Sequence, residues 1–109
     1  METILTPPVC TANLLGVLQL LNDGSPRLNV RQAAVLCLVA LNPGRTQKWM
    51  AESLRITQTA ISQSLIYLDA FGWTSAKEQP GNFSPTLYYA TLRGMTFLQI
   101  LTHPLNAPQ

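Results

Sequence analysis

Four polar, uncharged side chains lie close together in the middle of this 109-residue chain: Gln58, Thr59, Ser62 and Gln63. At about 100° per residue they share one face of a helix, together with Ile66, and Ile61, Leu65 and Leu68 fall on the opposite face. Short amides and hydroxyls can form hydrogen bonds with base edges in the major groove of DNA, and glutamine can pair with adenine through two such bonds. Many surface helices carry these residues without a ligand, so a prediction of base recognition depends on the elements around them.

The sequence offers no comparable arrangement for catalysis or metal binding. The single histidine, His103, lies in a proline-bounded segment with no acid or cysteine nearby, and Glu52 and Asp69 resemble ordinary surface acids. Cys10 and Cys37 have no metal-ligand spacing, and the apolar run around Cys37 is typical of a small buried side chain. The glycines form no phosphate-binding pattern. We therefore predict a protein that is not an enzyme and that needs no cofactor and no metal.

A helix, a tight turn and a second helix are predicted to position the four polar residues. The first helix covers about Thr46–Leu54, the turn is Arg55–Ile56, and Thr57 is a favourable N-cap for the second helix. The second helix runs to about Phe71 and ends at Gly72. The apolar inner faces of the two helices comprise Met50, Ala51, Leu54, Ile61, Leu65 and Leu68.

A two-stranded hairpin is predicted directly after these helices. Trp73–Glu78 and Thr86–Leu92 are compatible with strands, and the turn-forming cluster Gln79–Asn82 lies between them. This order of elements is that of a winged helix-turn-helix, with the helix-turn-helix at about 46–71 and the wing at about 73–92. Lys77 lies near the tip of the wing, where a cation could meet a phosphate. A hairpin with a purely structural role is the alternative.

Three further helices are predicted around this unit. One covers about Thr11–Asn22, a second begins after Asn29, with Gln32 completing a capping box, and runs to Leu41, and the last covers Arg93–Thr102. The apolar residues of the first and last helices cover more than one face of each helix. Each is therefore either an ordinary core helix or a helix that is partly buried against another chain. We predict a mainly α (α+β) fold: an extended arm at 1–10, one domain at 11–103 and a tail at 104–109.

Composition limits the class of partner. Charged residues make up 11% of the chain, whereas about 25% is usual in soluble domains. The net charge is +2. Nucleic-acid-binding proteins are commonly more basic, because neutralised phosphates supply most non-specific affinity. No signal peptide is evident, and no apolar run approaches the roughly 20 residues of a membrane span. We expect a cytoplasmic protein without a membrane partner.

Three segments together resemble the MarR-type winged-helix regulators: LNVRQAAVL, the helix-turn-helix from Thr46 to Gly72, and YYATLRG. The resemblance covers roughly Leu28–Gly94. It implies a homodimer joined by the first and last helices that binds palindromic DNA with one recognition helix per half-site. The arginine that such wings typically carry is lacking from GNFSPT, and the chain is shorter than typical members, as in a compact viral, plasmid or operon-specific regulator. The framework positions of the family would be Met50, Ala51, Leu54, Ile56, Ile61, Leu65, Leu68 and Gly72.

These observations predict a sequence-specific regulator of transcription that binds double-stranded DNA as a homodimer. Base readout is assigned to Gln58, Thr59, Ser62 and Gln63. Contacts to the DNA backbone are assigned to Thr46, Lys48, Arg55, Tyr67 and Lys77. The dimer interface is assigned to Leu14, Leu18, Leu21, Phe97 and Leu101.

Two alternatives use the same fold. A protein-interaction module would dock a protein partner on the helix or wing, and the low charge, the missing wing arginine and exposed Trp49 and Ile66 favour it. A DNA-binding partition or replication adaptor of a phage or plasmid would use the same surface on repeated sites.

Overall fold

The computed structural model describes residues 8, 10–23, 27–81 and 85–106. Within them the chain forms five α-helices and one two-stranded antiparallel sheet, which confirms the predicted mainly α winged helix-turn-helix. Most of the predicted arm, Asn82 in the predicted wing turn and the last three residues of the predicted tail lie outside the described residues. The elements are α1 (Thr11–Asp23), α2 (Val30–Leu41), α3 (Gln47–Leu54), α4 (Gln58–Ala70), β1 (Thr74–Lys77), β2 (Leu87–Ala90), α5 (Leu92–Thr102) and a 3-10 turn (His103–Asn106).

Side-chain caps define where four of the helices begin. Asn29 accepts a hydrogen bond from the Gln32 amide at 2.7 Å, and the Gln32 side chain accepts one from the Asn29 amide at 3.0 Å, which confirms the predicted capping box. The hydroxyls of Thr46, Thr57 and Thr91 each accept a hydrogen bond from the amide three residues later. Since Thr91 caps α5, strand β2 ends before it, earlier than the sequence predicted.

The core is centred on α2, which packs against α4 and β2. Its Val35 and Leu36 are fully buried, and Ile61 and Leu68 meet them from α4. Met50 adds the buried face of α3, as predicted. Apolar side chains at helical spacing thus hold α3 and α4 against the body and leave the other face of α4 towards solvent. The remaining buried apolar residues are Leu21, Leu28, Ala33, Val39, Ala51, Leu65, Trp73 and Leu101.

The wing is attached to the start of α3 as well as to its own strands. Within the hairpin, Thr74 pairs with Ala90. On its other edge, β2 bridges the segment before α3: the Tyr88 amide donates to the Arg45 carbonyl at 3.1 Å, and the Gly44 amide donates to the Tyr88 carbonyl at 2.9 Å. These bonds fix the wing relative to the helix-turn-helix.

Gly94 permits α5 to lie directly on the chain that leaves α4. The Thr91 amide donates to the Trp73 carbonyl at 3.0 Å, and the Thr91 hydroxyl donates to the Gly72 carbonyl at 2.6 Å. A β-carbon at Gly94 would lie 2.2 Å from that same Trp73 oxygen. The Trp73 and Phe97 rings stack at 4.3 Å between centroids. The close approach therefore explains the glycine of the YYATLRG segment.

Helix α1 packs on α5 and the 3-10 turn and buries little of its surface. Leu21 is its buried residue, whereas Leu14, Leu15 and Leu18 are 52%, 54% and 43% exposed. Residues 104–106, predicted as part of a tail, instead belong to the 3-10 turn that covers α1, where Pro104 approaches Gly16.

The structure corrects two of the five residues assigned to the dimer interface. Leu21 and Leu101 are 9% and 4% exposed and lie in the core of their own chain, so they have almost no surface left for a partner. Phe97 is half-buried beneath its stacking contact with Trp73. Leu14 and Leu18 have open apolar surface and Phe97 lines an apolar hollow, so these three residues remain candidates for an interface.

The hydroxyl of Thr74 is buried and has no hydrogen-bond partner among the described residues. An unsatisfied buried hydroxyl costs about 1–3 kcal/mol. We expect Thr74→Val, which keeps the branched shape, to raise the free energy of unfolding by about 1 kcal/mol in urea titrations. Thr91→Val is the matched control and should lower it by about 1 kcal/mol, because that hydroxyl caps α5. A loss of stability in Thr74→Val would show that its hydroxyl is satisfied.

Candidate nucleic-acid interface

The predicted readout residues lie on the solvent face of α4. Gln58, Thr59 and Gln63 are exposed and Ser62 is half-buried, whereas Ile61 on the opposite face is fully buried. At the N-terminus of α4 the Thr57 hydroxyl accepts a hydrogen bond from the Ala60 amide, and the first turn carries no acidic residue. The partial positive charge of this helix end is therefore free to face an anion.

A crevice between α3 and the wing brings together residues from three elements; we call it the α3–wing crevice. Its volume is about 330 Å³. It unites Thr46 and Lys48, assigned to the DNA backbone, with Gln58, assigned to base readout. Its polar lining comprises Thr46, Gln47, Lys48, Gln58, Thr86 and Tyr88.

Three polar residues of this crevice were missed by the sequence prediction: Gln47, Thr86 and Tyr88. The Gln47 side-chain amide donates to the Tyr88 hydroxyl at 2.7 Å, across 41 residues of sequence. Strand alternation predicts that Tyr88 and Tyr89 face opposite sides of the wing, but not which of them meets α3. The bridge to Arg45 determines that choice.

A second crevice lies between α4 and the wing; we call it the α4–wing crevice. It has a volume of about 190 Å³. Ser62 and Ile66 of α4 face Ala76 of β1 across it, and Ile66 is 67% exposed. The Asp69 carboxyl also lines it, and Gln47 and Tyr88 line both crevices. A carboxylate repels phosphate, so this crevice suits base edges or an apolar group better than a DNA backbone.

The other residues assigned to the DNA backbone line neither crevice. Arg55 is exposed in the turn between α3 and α4, where its φ of 57° is left-handed, and Lys77 is exposed at the end of β1. The structure corrects the assignment of Tyr67 to the DNA backbone. Its hydroxyl donates its single proton to the Arg27 carbonyl, so no proton is left for a phosphate. That bond joins residues 40 apart in sequence and could not be predicted from local pattern.

No carboxylate of the described residues forms an ion pair with Lys48, Arg55 or Lys77, so their charges are available to a partner. Arg45 instead lies over the Trp49 ring, with its guanidinium carbon 4.7 Å from the ring centroid. Trp49 is half-buried against the core, so the prediction that it is exposed was wrong.

Among the described residues, no group of three or more His, Cys, Asp or Glu residues could hold a metal ion. Burial raises the pKa of the Cys37 thiol, which disfavours the reactive thiolate, as expected for a packed cysteine. Over the same residues no helix has the length and apolar character needed to cross a bilayer.

A polar helix presented beside a two-stranded wing defines the class: a winged helix-turn-helix. Solved MarR-type regulators share this fold. SlyA matches with a TM-score of 0.70 at 23% identity, over 87% of this chain and 67% of that one. A MepR variant from S. aureus bound to an oligodeoxyribonucleotide matches with a TM-score of 0.76 at 17% identity, over 86% and 68%. A transcriptional regulator from Thermotoga maritima matches with a TM-score of 0.75 at 13% identity, over 90% and 68%.

The chain thus spans about two thirds of the length of each of these three proteins. No family model and no curated protein sequence matches it. The structural likeness establishes the MarR-like winged-helix fold, as the resemblance in sequence implied.

Proposed function

We propose that this protein is a sequence-specific DNA-binding regulator of transcription that places α4 in the major groove. The observation that carries the proposal is the exposed, uncharged polar face of α4 beside a wing. A MepR variant of the same fold has been solved with an oligodeoxyribonucleotide. Each good bidentate contact to a base contributes about 1–3 kcal/mol of discrimination, so a few amides and hydroxyls suffice for specificity.

The modest charge favours action as a pair of chains. Lys48, Arg55 and Lys77 would supply three phosphate contacts per chain, and two chains would supply six. Six neutralised phosphates predict a slope of about −5 for the logarithm of affinity against the logarithm of salt concentration. We therefore propose a homodimer on a palindromic site, with its recognition helices roughly one turn of DNA apart.

The exposed leucines of α1 favour the same arrangement. Leu14 and Leu18 are one helical turn apart and are 52% and 43% exposed. On another side of α1, Leu20, Ile100 and Pro104 line an apolar hollow of about 450 Å³. Exposed apolar surface of this kind is typical of protein–protein contacts.

A dimer through α1 can be tested with the double variant Leu14→Glu/Leu18→Glu. Burying two carboxylates against an apolar surface should raise the dissociation constant of the dimer at least about 100-fold, as measured by analytical ultracentrifugation. Leu41→Glu is the control, because Leu41 is 79% exposed at the end of α2 and should tolerate the charge. A wild-type monomer, or a double variant that dimerises normally, would contradict the arrangement.

Lys77 is expected to contact the DNA backbone without reading sequence. Lys77→Ala should weaken binding to specific and unrelated DNA by the same factor and reduce the salt slope by about 1 per chain, as measured by fluorescence anisotropy. Arg31→Ala is the matched control, since Arg31 lies about 15 Å along α2 from the end that meets the wing. An equal effect of the two substitutions would argue against a contact at the wing.

A protein-interaction module is the second candidate, and exposed Ile66 beside Asp69 favours it. If α4 reads DNA, Ile66 instead has a thymine methyl group to contact. Replacing thymidine by deoxyuridine removes that methyl and should weaken binding to wild type but not to Ile66→Ala. A partition or replication adaptor would differ in its preferred sites, which would form arrays.

A further inference from the structure

We propose that the α3–wing crevice binds one phosphodiester of the DNA backbone; we call this site the phosphate seat. The Tyr88 hydroxyl donates a hydrogen bond to the phosphate, and the Lys48 ammonium attracts its negative charge. The inference rests on the proposed function and deepens it. It assigns binding to Tyr88 and a positioning role to Gln47.

The Tyr88 hydroxyl is held in place with its proton unused. Its oxygen accepts the Gln47 amide at 2.7 Å, and the hydroxyl donates to no acceptor among the described residues. The backbone of Tyr88 is bonded to Gly44 and Arg45, so the strand that carries the ring is fixed relative to the start of α3. A tyrosine carries one donor proton, and here that proton is available to a ligand in the crevice.

Backbone groups add to this donor. Thr46 caps the amide of Trp49 but leaves the amides of Gln47 and Lys48, the first two of α3, without a partner among the described residues. Neither α3 nor α4 has an acidic residue in its first turn. Both helix starts, through Gln47 and Gln58, open on the same crevice, so their partial positive charges act on one volume.

The residues that line the α3–wing crevice favour an anion whose oxygen atoms accept hydrogen bonds. No carboxylate lines the crevice, whereas one ammonium group, two threonine hydroxyls and the tyrosine hydroxyl do. Gln47 and Tyr88 also line the neighbouring α4–wing crevice, but that crevice contains the Asp69 carboxylate and has neither an ammonium group nor a threonine hydroxyl. Gln58 lines the seat and also belongs to the readout face, so a phosphate bound here would fix the depth and register of α4 in the groove.

Neutral methylphosphonate linkages, placed one at a time along a bound DNA site, test the seat. Wild type should lose affinity at one position of each half-site. Tyr88→Phe should bind normal DNA at least about 10-fold more weakly, the size expected for a hydrogen bond to a charged group. The variant should also become insensitive to the methylphosphonate at that position. Tyr89→Phe is the matched control on the other side of β2 and should behave as wild type.

The thermal midpoint of Tyr88→Phe shows whether loss of the Gln47 bond disturbs the fold. If it does, Lys48→Met provides the same test from an exposed position and should lose sensitivity at the same linkage. Tyr88→Phe and Lys48→Met variants that bind like wild type and retain its pattern of sensitivity would overturn the seat while leaving DNA binding intact. Absence of wild-type binding to any DNA at low salt would overturn both the seat and the proposed function.

Discussion

Replacing Gly94 by alanine is expected to lower the free energy of unfolding by about 3 kcal/mol or more. In an open helix the same change would stabilise the protein by up to about 1 kcal/mol, because alanine is the better helix former. At Gly94 the new β-carbon would lie 2.2 Å from the Trp73 carbonyl oxygen. That distance is much shorter than a van der Waals contact, so either α5 or the segment that leads into β1 must move.

Movement at this point is costly because the oxygen is already engaged. The Trp73 carbonyl accepts the Thr91 amide, which begins α5, and the Trp73 ring stacks on Phe97 one turn further along α5. Lifting α5 breaks both contacts together. Since small domains are stable by only about 5–15 kcal/mol, the loss would be plain in a urea titration followed by tryptophan fluorescence.

Gly16→Ala is the control for this prediction. There the β-carbon would meet the side chain of Pro104 at 2.9 Å, in a short terminal turn that can shift. We expect a change in stability within about 1 kcal/mol. If Gly94→Ala were as stable as wild type, the close seating of α5 on Trp73 would be incorrect.

Replacing Gln63 by alanine is expected to weaken binding to the specific site by about 1–3 kcal/mol per half-site. A symmetric dimer carries the substitution twice, so the combined loss would be about 2–6 kcal/mol, or roughly 30-fold to more than 10,000-fold in affinity. Gln63 is exposed on the face of α4 that carries no charge. Its amide therefore contributes through hydrogen bonds to bases and not through attraction to phosphate.

Unrelated DNA provides the internal control for Gln63→Ala. Non-specific affinity comes from cations that the substitution leaves in place, so it should change little and the salt slope should stay the same. The base pair that Gln63 contacts should also become interchangeable with others. Equal weakening on specific and unrelated DNA would assign Gln63 to the backbone and not to readout.

Elements with local signals could be predicted closely from the sequence. Asn29 and Thr57 are side-chain caps, Gly72 lies at φ 73° just after α4, and Ile61, Leu65 and Leu68 repeat at helical spacing. Each of these features depends on residues within a few positions of one another. That is why the helix-turn-helix and the wing were found at nearly their observed bounds.

Features that depend on distant parts of the chain could not be predicted in this way. The hydrogen bond between the Gln47 side chain and the Tyr88 hydroxyl joins residues 41 apart, and both residues line the α3–wing crevice. Helix α1 is apolar on several sides, so its pattern alone could not distinguish buried Leu21 from exposed Leu14. The same limit explains the wrong prediction for Trp49, which packs on the core in spite of its polar neighbours.

Selection of bound sequences from random double-stranded DNA at low salt tests base readout by α4 directly. We expect enrichment of an inverted repeat whose half-sites lie roughly one helical turn apart, and we expect that enrichment to be lost for Gln63→Ala. Failure of the wild-type protein to retain any DNA, at salt low enough to favour every phosphate contact, would contradict base readout by α4.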